Sequence, residues 1–177
     1  MGGTLRLFFA LPLPPELRDI LGRWQRAQPG AGGWSRPDGL HLTLAFLGAR
    51  PPEGLARLEA IGEAVAAGHR AFELRTAALG AFPGPRRARV LWLGLEPCLD
   101  LERLAADLRE ALATAGEAFD SKPFRPHLTL ARFRRAGPVD TFLPPPPAGF
   151  EAGALVLFES QPQGCYMPVR TWDLDRT

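Results

Sequence analysis

Apolar residues along this chain fall into two patterns, short continuous runs and longer stretches in which they recur every three or four positions. Residues 5–11 form a short run rich in Phe and Leu and closed by Pro12, which predicts a buried strand. Pro14 and Pro15 then prime a helix over residues 16–28, where Leu17, Ile20, Leu21 and Trp24 share one face before Pro29 and Gly30 end it. Residues 29–39 read as a Gly/Pro loop, residues 40–47 as a second apolar strand, and residues 48–52 as a turn into a helix over 53–67 that Gly68 closes. Strands follow over 72–79 and 89–95, then a helix over 99–115 with a stripe of Leu101, Leu104, Leu108 and Leu112. A strand over 127–133, an extended proline run over 144–147 and strands over 155–158 and 169–174 complete about seven strands against three helices. Helices and strands do not alternate strictly and several strands are joined by short turns, so the pattern predicts an α+β fold with antiparallel pairing.

Length and composition narrow the class. The chain has 177 residues, 46% hydrophobic and 23% charged, with a formal net charge of +2, which excludes disordered and collagen-like structure and is too weak for a protein that coats DNA. This length buries a core without staples. Cys98 and Cys165 are far apart, with no CxxC pair, so reduced thiols are expected rather than a disulfide framework or structural zinc. The apolar run at residues 7–13 is too short to span a bilayer and is broken by Pro12, so a cytoplasmic protein with no membrane association is expected. No coiled coil or large apolar segment demands a partner, and a monomer is expected. The basic charge is almost all arginine, with Lys122 the one lysine. Its clusters, Arg86, Arg87 and Arg89 or Arg132, Arg134 and Arg135, suit either a phosphate-attracting patch or a solvated face.

The most informative feature is a repeat. His-Leu-Thr-Leu-Ala at positions 41–45 recurs letter for letter at 127–131, and these pentapeptides hold two of the three histidines. The third, His69, follows a predicted helix end, where capping or plain exposure is expected. In a strand, His41 and Thr43 project to one side and Leu42 and Leu44 to the other, and His127 and Thr129 do the same against Leu128 and Leu130. Two such strands brought together would enclose two imidazoles and two hydroxyls. Spending polar residues twice on otherwise leucine-rich strands costs stability unless a ligand is served. Histidine titrates near neutrality, so one ring can donate a proton to a leaving oxygen while the other accepts one from a nucleophile. Arg132, just past the second repeat, faces the side of Thr129 only if the strand twists or bulges.

The two His-x-Thr-x elements, His41-Leu42-Thr43-Leu44 and His127-Leu128-Thr129-Leu130, resemble the signature of the two-histidine (2H) phosphoesterase superfamily. The stretch Trp34-Ser35-Arg36-Pro37-Asp38-Gly39-Leu40 before His41, Ala45-Phe46-Leu47-Gly48 after Leu44, and Phe124-Arg125-Pro126-His127 through Arg132 resemble its RNA 2′,3′-cyclic phosphodiesterase branch, also called 2′-5′ RNA ligase. The resemblance implies one bilobal domain over residues 1–177: two pseudo-symmetric lobes, each an antiparallel sheet backed by helices, one containing both termini, with the site in the groove between them. It implies His41 as proton donor, His127 as proton acceptor, Thr43 and Thr129 as phosphate ligands and Arg132 as a phosphate contact. The direction of the histidine roles stays open, because a pseudo-symmetric site runs either way and reverses in joining. Phe46, on the face of His41 and Thr43 if the strand stays regular, is a candidate to stack on a nucleobase or a core residue, and Trp34 is a weaker candidate of the same kind.

The implied reaction is hydrolysis of an RNA terminal 2′,3′-cyclic phosphate to a 2′-phosphomonoester, with reversible 2′-5′ joining, and without metal or other cofactor. The absence of a GxxxxGK[ST] loop agrees. Two other readings compete: a 2H phosphodiesterase acting on a small nucleotide cyclic phosphate or 2′-5′ oligonucleotide, and a non-catalytic RNA-binding module. Binding alone does not require two titrating groups.

Overall fold

A computed structural model describes residues 3–29 and 32–176. Gly30, read above as a helix-ending residue, lies outside them. In chain order the elements are β1 (Leu5–Pro12), α1 (Pro15–Ala27), β2 (His41–Arg50), α2 (Leu55–Ala67), β3 (Phe72–Phe82), β4 (Ala88–Leu95), α3 (Leu99–Thr114), β5 (His127–Gly137), β6 (Gly149–Ala152), β7 (Ala154–Gln161) and β8 (Cys165–Asp173). The α+β class and antiparallel pairing hold: the strands lie in the order β6-β3-β4-β5-β2-β1-β7-β8, and every neighbouring pair is antiparallel.

The sheet is narrowest at its centre. β2 and β5 share one registered pair, Leu42 with Leu128, both fully buried, and four strands extend on either side of it. That pair sits at the same place in both pentapeptides, and their strands are flanked alike, β2 by β1 and β5 by β4. β1 and β8, nearest the two chain ends, belong to the same half.

The helices cover the apolar side. α1 starts at Pro15, whose missing N–H costs nothing there, and buries Leu17, Leu21 and Trp24, with Glu16 and Arg26 complementing its dipole. The α3 stripe is buried as the leucine spacing predicts. α2 packs on α3 and across β7 and β8.

Several boundaries differ from the sequence reading. Among the described residues there are eight strands, because the four-residue β6 pairs with Phe72 to Arg75 and buries only Phe150 and Ala152, too short a signal for periodicity. β5 runs on to Gly137 and β8 begins at Cys165, since cross-strand hydrogen bonds carry polar segments that pattern alone leaves out. α2 begins at Leu55, after a 3₁₀ turn at Pro52–Gly54. His69 is not simply exposed: its Nε2 lies 2.9 Å from Asp107 Oδ2, tying the end of α2 to α3. Residues 144–147 carry no regular secondary structure, and the preceding Leu143 carbonyl accepts a 2.8 Å hydrogen bond from Trp24 Nε1. Cys98 and Cys165 are free thiols. No described helix is long and apolar enough to cross a membrane.

Candidate active site

Each repeat strand carries the same irregularity. Across β1, Thr43 pairs with Ala10 and Ala45 with Phe9, so Leu44 is an extra residue; across β4, Thr129 pairs with Trp92 and Ala131 with Leu91, so Leu130 is extra. A bulge of this kind shifts the alternation by one. Leu44 and Ala45 are therefore both buried, as are Leu130 and Ala131, and the next residue of each strand turns back toward the polar face. That residue is Arg132 in β5, as the bulge condition required, and Phe46 in β2. For Phe46 the expectation needs correction: a regular strand would place it with Leu42 and Leu44, and only the bulge returns it to the face of His41 and Thr43.

His41, Thr43, Phe46, His127, Thr129 and Arg132 line one cleft of about 440 Å³. A second cleft of about 680 Å³ opens beside His127 and shares all of these except His41. The sequence-predicted residues are thus brought together, drawn from the two halves of the sheet.

The histidines are held alike. His41 Nδ1 lies 2.7 Å from the Gly39 carbonyl, and His127 Nδ1 lies 2.6 Å from the Arg125 carbonyl. A carbonyl only accepts, so Nδ1 carries the proton in both rings and Nε2 is left for chemistry. Their surroundings differ. His41 packs against Phe8 and Tyr166, with centroids 4.8 Å away in each case, and Phe158 at 6.1 Å. His127 has Phe82 edge-on at 5.4 Å and Trp92 at 6.1 Å. Burial pushes the His41 pKa below its ordinary value; the Gly39 hydrogen bond opposes this, and the positive charge of Arg132 and His127 adds to it.

The Gly/Pro loop before β2 forms one wall. Gly33 at φ 94° takes a conformation that suits glycine, and a Cβ there would collide with the Arg132 carbonyl. The loop zips onto β5 through Arg132 N–H to Gly33 O and Ser35 N–H to Leu130 O, both 2.8 Å. The buried Gln25 amide donates to the Ser35 and Leu130 carbonyls at 3.1 and 3.3 Å, fixing the bulge from behind. Trp34 lines the cleft, with Trp24 and Phe142 both edge-on at 5.5 Å.

Tyr166, Asp120 and Arg6 are among the residues near the site that escaped the sequence reading. Tyr166 reaches His41 through the β7–β8 hairpin, Asp120 lines both clefts, and the Arg6 guanidinium lies 5.0 Å from the Phe46 ring centroid. Arg6 held a legible signal, a lone charge in the first apolar run; Tyr166 and Asp120 had none.

Comparison with known proteins agrees with this architecture. A family model described as the 2′-5′ RNA ligase superfamily matches residues 13–163. An RNA 2′,3′-cyclic phosphodiesterase of Thermus thermophilus is 38% identical over 175 residues, covering 90% of this chain and 85% of that protein. One of Geobacillus stearothermophilus is 35% identical over 128 residues, 71% of this chain and 41% of that longer protein. The crystal structure of Escherichia coli LigT complexed with 3′-AMP superposes with a TM-score of 0.82 at 33% identity, over 98% of this chain and 99% of that one.

Proposed function

The chain belongs to the 2′-5′ RNA ligase superfamily, and on that premise we propose that it hydrolyses RNA terminal 2′,3′-cyclic phosphates to 2′-phosphomonoesters by two-histidine acid–base catalysis. The observation that carries the proposal is the matched pair of imidazoles, each with Nδ1 anchored on the carbonyl two residues upstream and each lining one cleft.

In the proposed reaction, neutral His127 takes a proton from water at Nε2 as the water oxygen attacks phosphorus. The bond from phosphorus to the ribose 3′ oxygen breaks on the opposite side, and that oxygen takes the proton from His41 Nε2. The Thr43 and Thr129 hydroxyls and the Arg132 guanidinium hold the non-bridging oxygens, where negative charge grows. Proton count closes with His127 charged and His41 neutral, and exchange with solvent resets the pair. Burial, with the positive charge of Arg132 and His127, disfavours the charged form of His41; a phosphodiester anion beside the ring opposes both and loads the acid as substrate binds. Joining is the same displacement with a 5′-hydroxyl in place of water, giving a 2′-5′ linkage. Two imidazoles supply all of this chemistry, so no cofactor enters. On this reading the protein works as a monomer in the cytoplasm on RNA ends, with Phe46 stacking on a base.

The test is hydrolysis of a short RNA ending in a 2′,3′-cyclic phosphate, with excess chelator, by wild type, His41→Ala and His127→Ala, with identification of the product isomer. A 2′-phosphate formed by wild type and lost in both variants supports the proposal. Binding without turnover of this RNA or of small nucleotide cyclic phosphates overturns it in favour of an RNA-binding module; turnover of the small nucleotides alone transfers the activity to that substrate class.

A further inference from the structure

Among the described residues, Asp120 is the one acid that lines either cleft, whereas Arg36, Arg109, Lys122, Arg125 and Arg132 all contribute cationic side chains. A carboxylate repels the phosphate that the rest of the groove is shaped to attract. Its location is nonetheless closely specified. The Asp120 N–H donates to the Phe46 carbonyl at 2.9 Å, so the acid is tied to the strand that presents the Phe46 ring. Its Oδ1 accepts the Lys122 N–H at 3.2 Å, and Oδ2 lies 3.3 Å from Lys122 Nζ. Those bonds hold the group as an anion, with its pKa below the usual carboxylate range. Each oxygen retains a further lone pair.

An anion in this groove needs a part of the ligand that offers hydrogen-bond donors. The terminal ribose offers none at its 2′ and 3′ oxygens, because both are esterified in the cyclic phosphate. The donors that remain beside a ring stacked on Phe46 are the N–H groups of the base.

We infer that Asp120 reads the Watson–Crick edge of the base that stacks on Phe46, and that it selects guanine. This inference rests on the function proposed above. Guanine alone presents two adjacent donors, N1–H and the 2-amino group, which match both oxygens of a carboxylate. Adenine and cytosine pair one amino group with a ring nitrogen acceptor, and uracil has a single N–H between two carbonyls. Arg6 lies over the Phe46 ring at 5.0 Å and Phe8 stacks beside it at 6.5 Å, yet Phe46 still lines both clefts, where a base can meet it. Recognition of this kind is sharp because a site built around a substrate donor leaves its carboxylate unpaired when the donor is missing.

The experiment compares kcat/KM for short RNAs identical except for the last nucleoside, which carries the cyclic phosphate and is guanosine, inosine, adenosine, cytidine or uridine. Wild type is expected to prefer guanosine over uridine by about tenfold, within the range for one bidentate base contact. Inosine, which lacks the 2-amino group, is expected to fall between them. Asp120→Asn replaces one acceptor with a donor, so the guanosine-to-uridine ratio is expected to collapse toward one; a purely structural role for Asp120 would lower all five rates together and leave the ratio intact. Equal rates for guanosine and uridine in wild type, or an unchanged ratio in Asp120→Asn, overturn the inference and leave the hydrolytic function standing. A wild type inert toward all five overturns the functional reading and this inference with it.

Discussion

Phe46 and Arg132 occupy the same position in the two copies of the repeat, each the fifth residue after its histidine, and each reaches the cleft because the second leucine of its pentapeptide forms a bulge. The backbone device is duplicated and the side chain is not. One copy delivers an aromatic ring suited to a base, and the other delivers a cation suited to phosphate, so a symmetric fold makes an asymmetric site.

That asymmetry sets different outcomes for the two positions. Arg132→Gln is expected to lower kcat about 10²-fold with a small change in KM, the size typical of removing a group that stabilises charge in the transition state. Phe46→Ala is expected to act chiefly on KM. Steady-state kinetics on one RNA substrate separate the two, and matched effects on both parameters would contradict the division.

Each histidine variant alone is expected to lose about 10²- to 10⁴-fold in kcat, the usual contribution of a positioned acid or base. In the proposed mechanism the two rings act in one step, so the double variant His41→Ala/His127→Ala is expected to be little worse than the slower single variant. Rates that multiply would show two independent contributions instead.

The lowered pKa of His41 has a sign that can be followed. Its folded pKa lies below the unfolded value of about 6.5, so at pH below about 6.5 the unfolded chain takes up a proton that the folded chain does not. The stability lost between pH 7.5 and pH 5.5 is therefore expected to be smaller in His41→Gln than in wild type, measured by urea denaturation at both values. Proton NMR is expected to show His41 titrating below 6.5 in the free protein and moving upward when inorganic phosphate occupies the cleft.

Gly62 tests the packing of α2 on the sheet. Replacing a helical glycine by alanine ordinarily stabilises by about 1 kcal/mol. Here a Cβ would collide with the Trp172 ring, and overpacking costs about 1–3 kcal/mol. Gly62→Ala is expected to lower Tm by a few degrees, whereas Gly54→Ala, with open space around it, is expected to leave Tm unchanged or slightly raised. Calorimetry on both variants checks this.

What the sequence determined by itself was local and periodic. The identical pentapeptides marked His41, Thr43, His127 and Thr129 because exact repetition survives without knowledge of the fold, and the leucine stripe of α3 was legible because a helix brings residues three and four apart onto one face. The antiparallel α+β class followed from short connections between apolar runs. What only the tertiary structure decided depends on partners far apart in the chain. The bulges exist in the pairing of β2 with β1 and of β5 with β4, so the face shown by Phe46 was decided by a register that no single strand contains. Tyr166 stands at the start of β8, opposite Ser160 of β7, and Asp120 in the connection from α3 to β5, so both are placed by the pairing of distant strands and neither belongs to a periodic apolar pattern. β6 is held by hydrogen bonds to β3 rather than by a run of its own. Periodicity reports which face a residue takes within one element; which elements share a cleft is settled by long-range pairing, where hydrogen bonds and buried area are shared between distant segments.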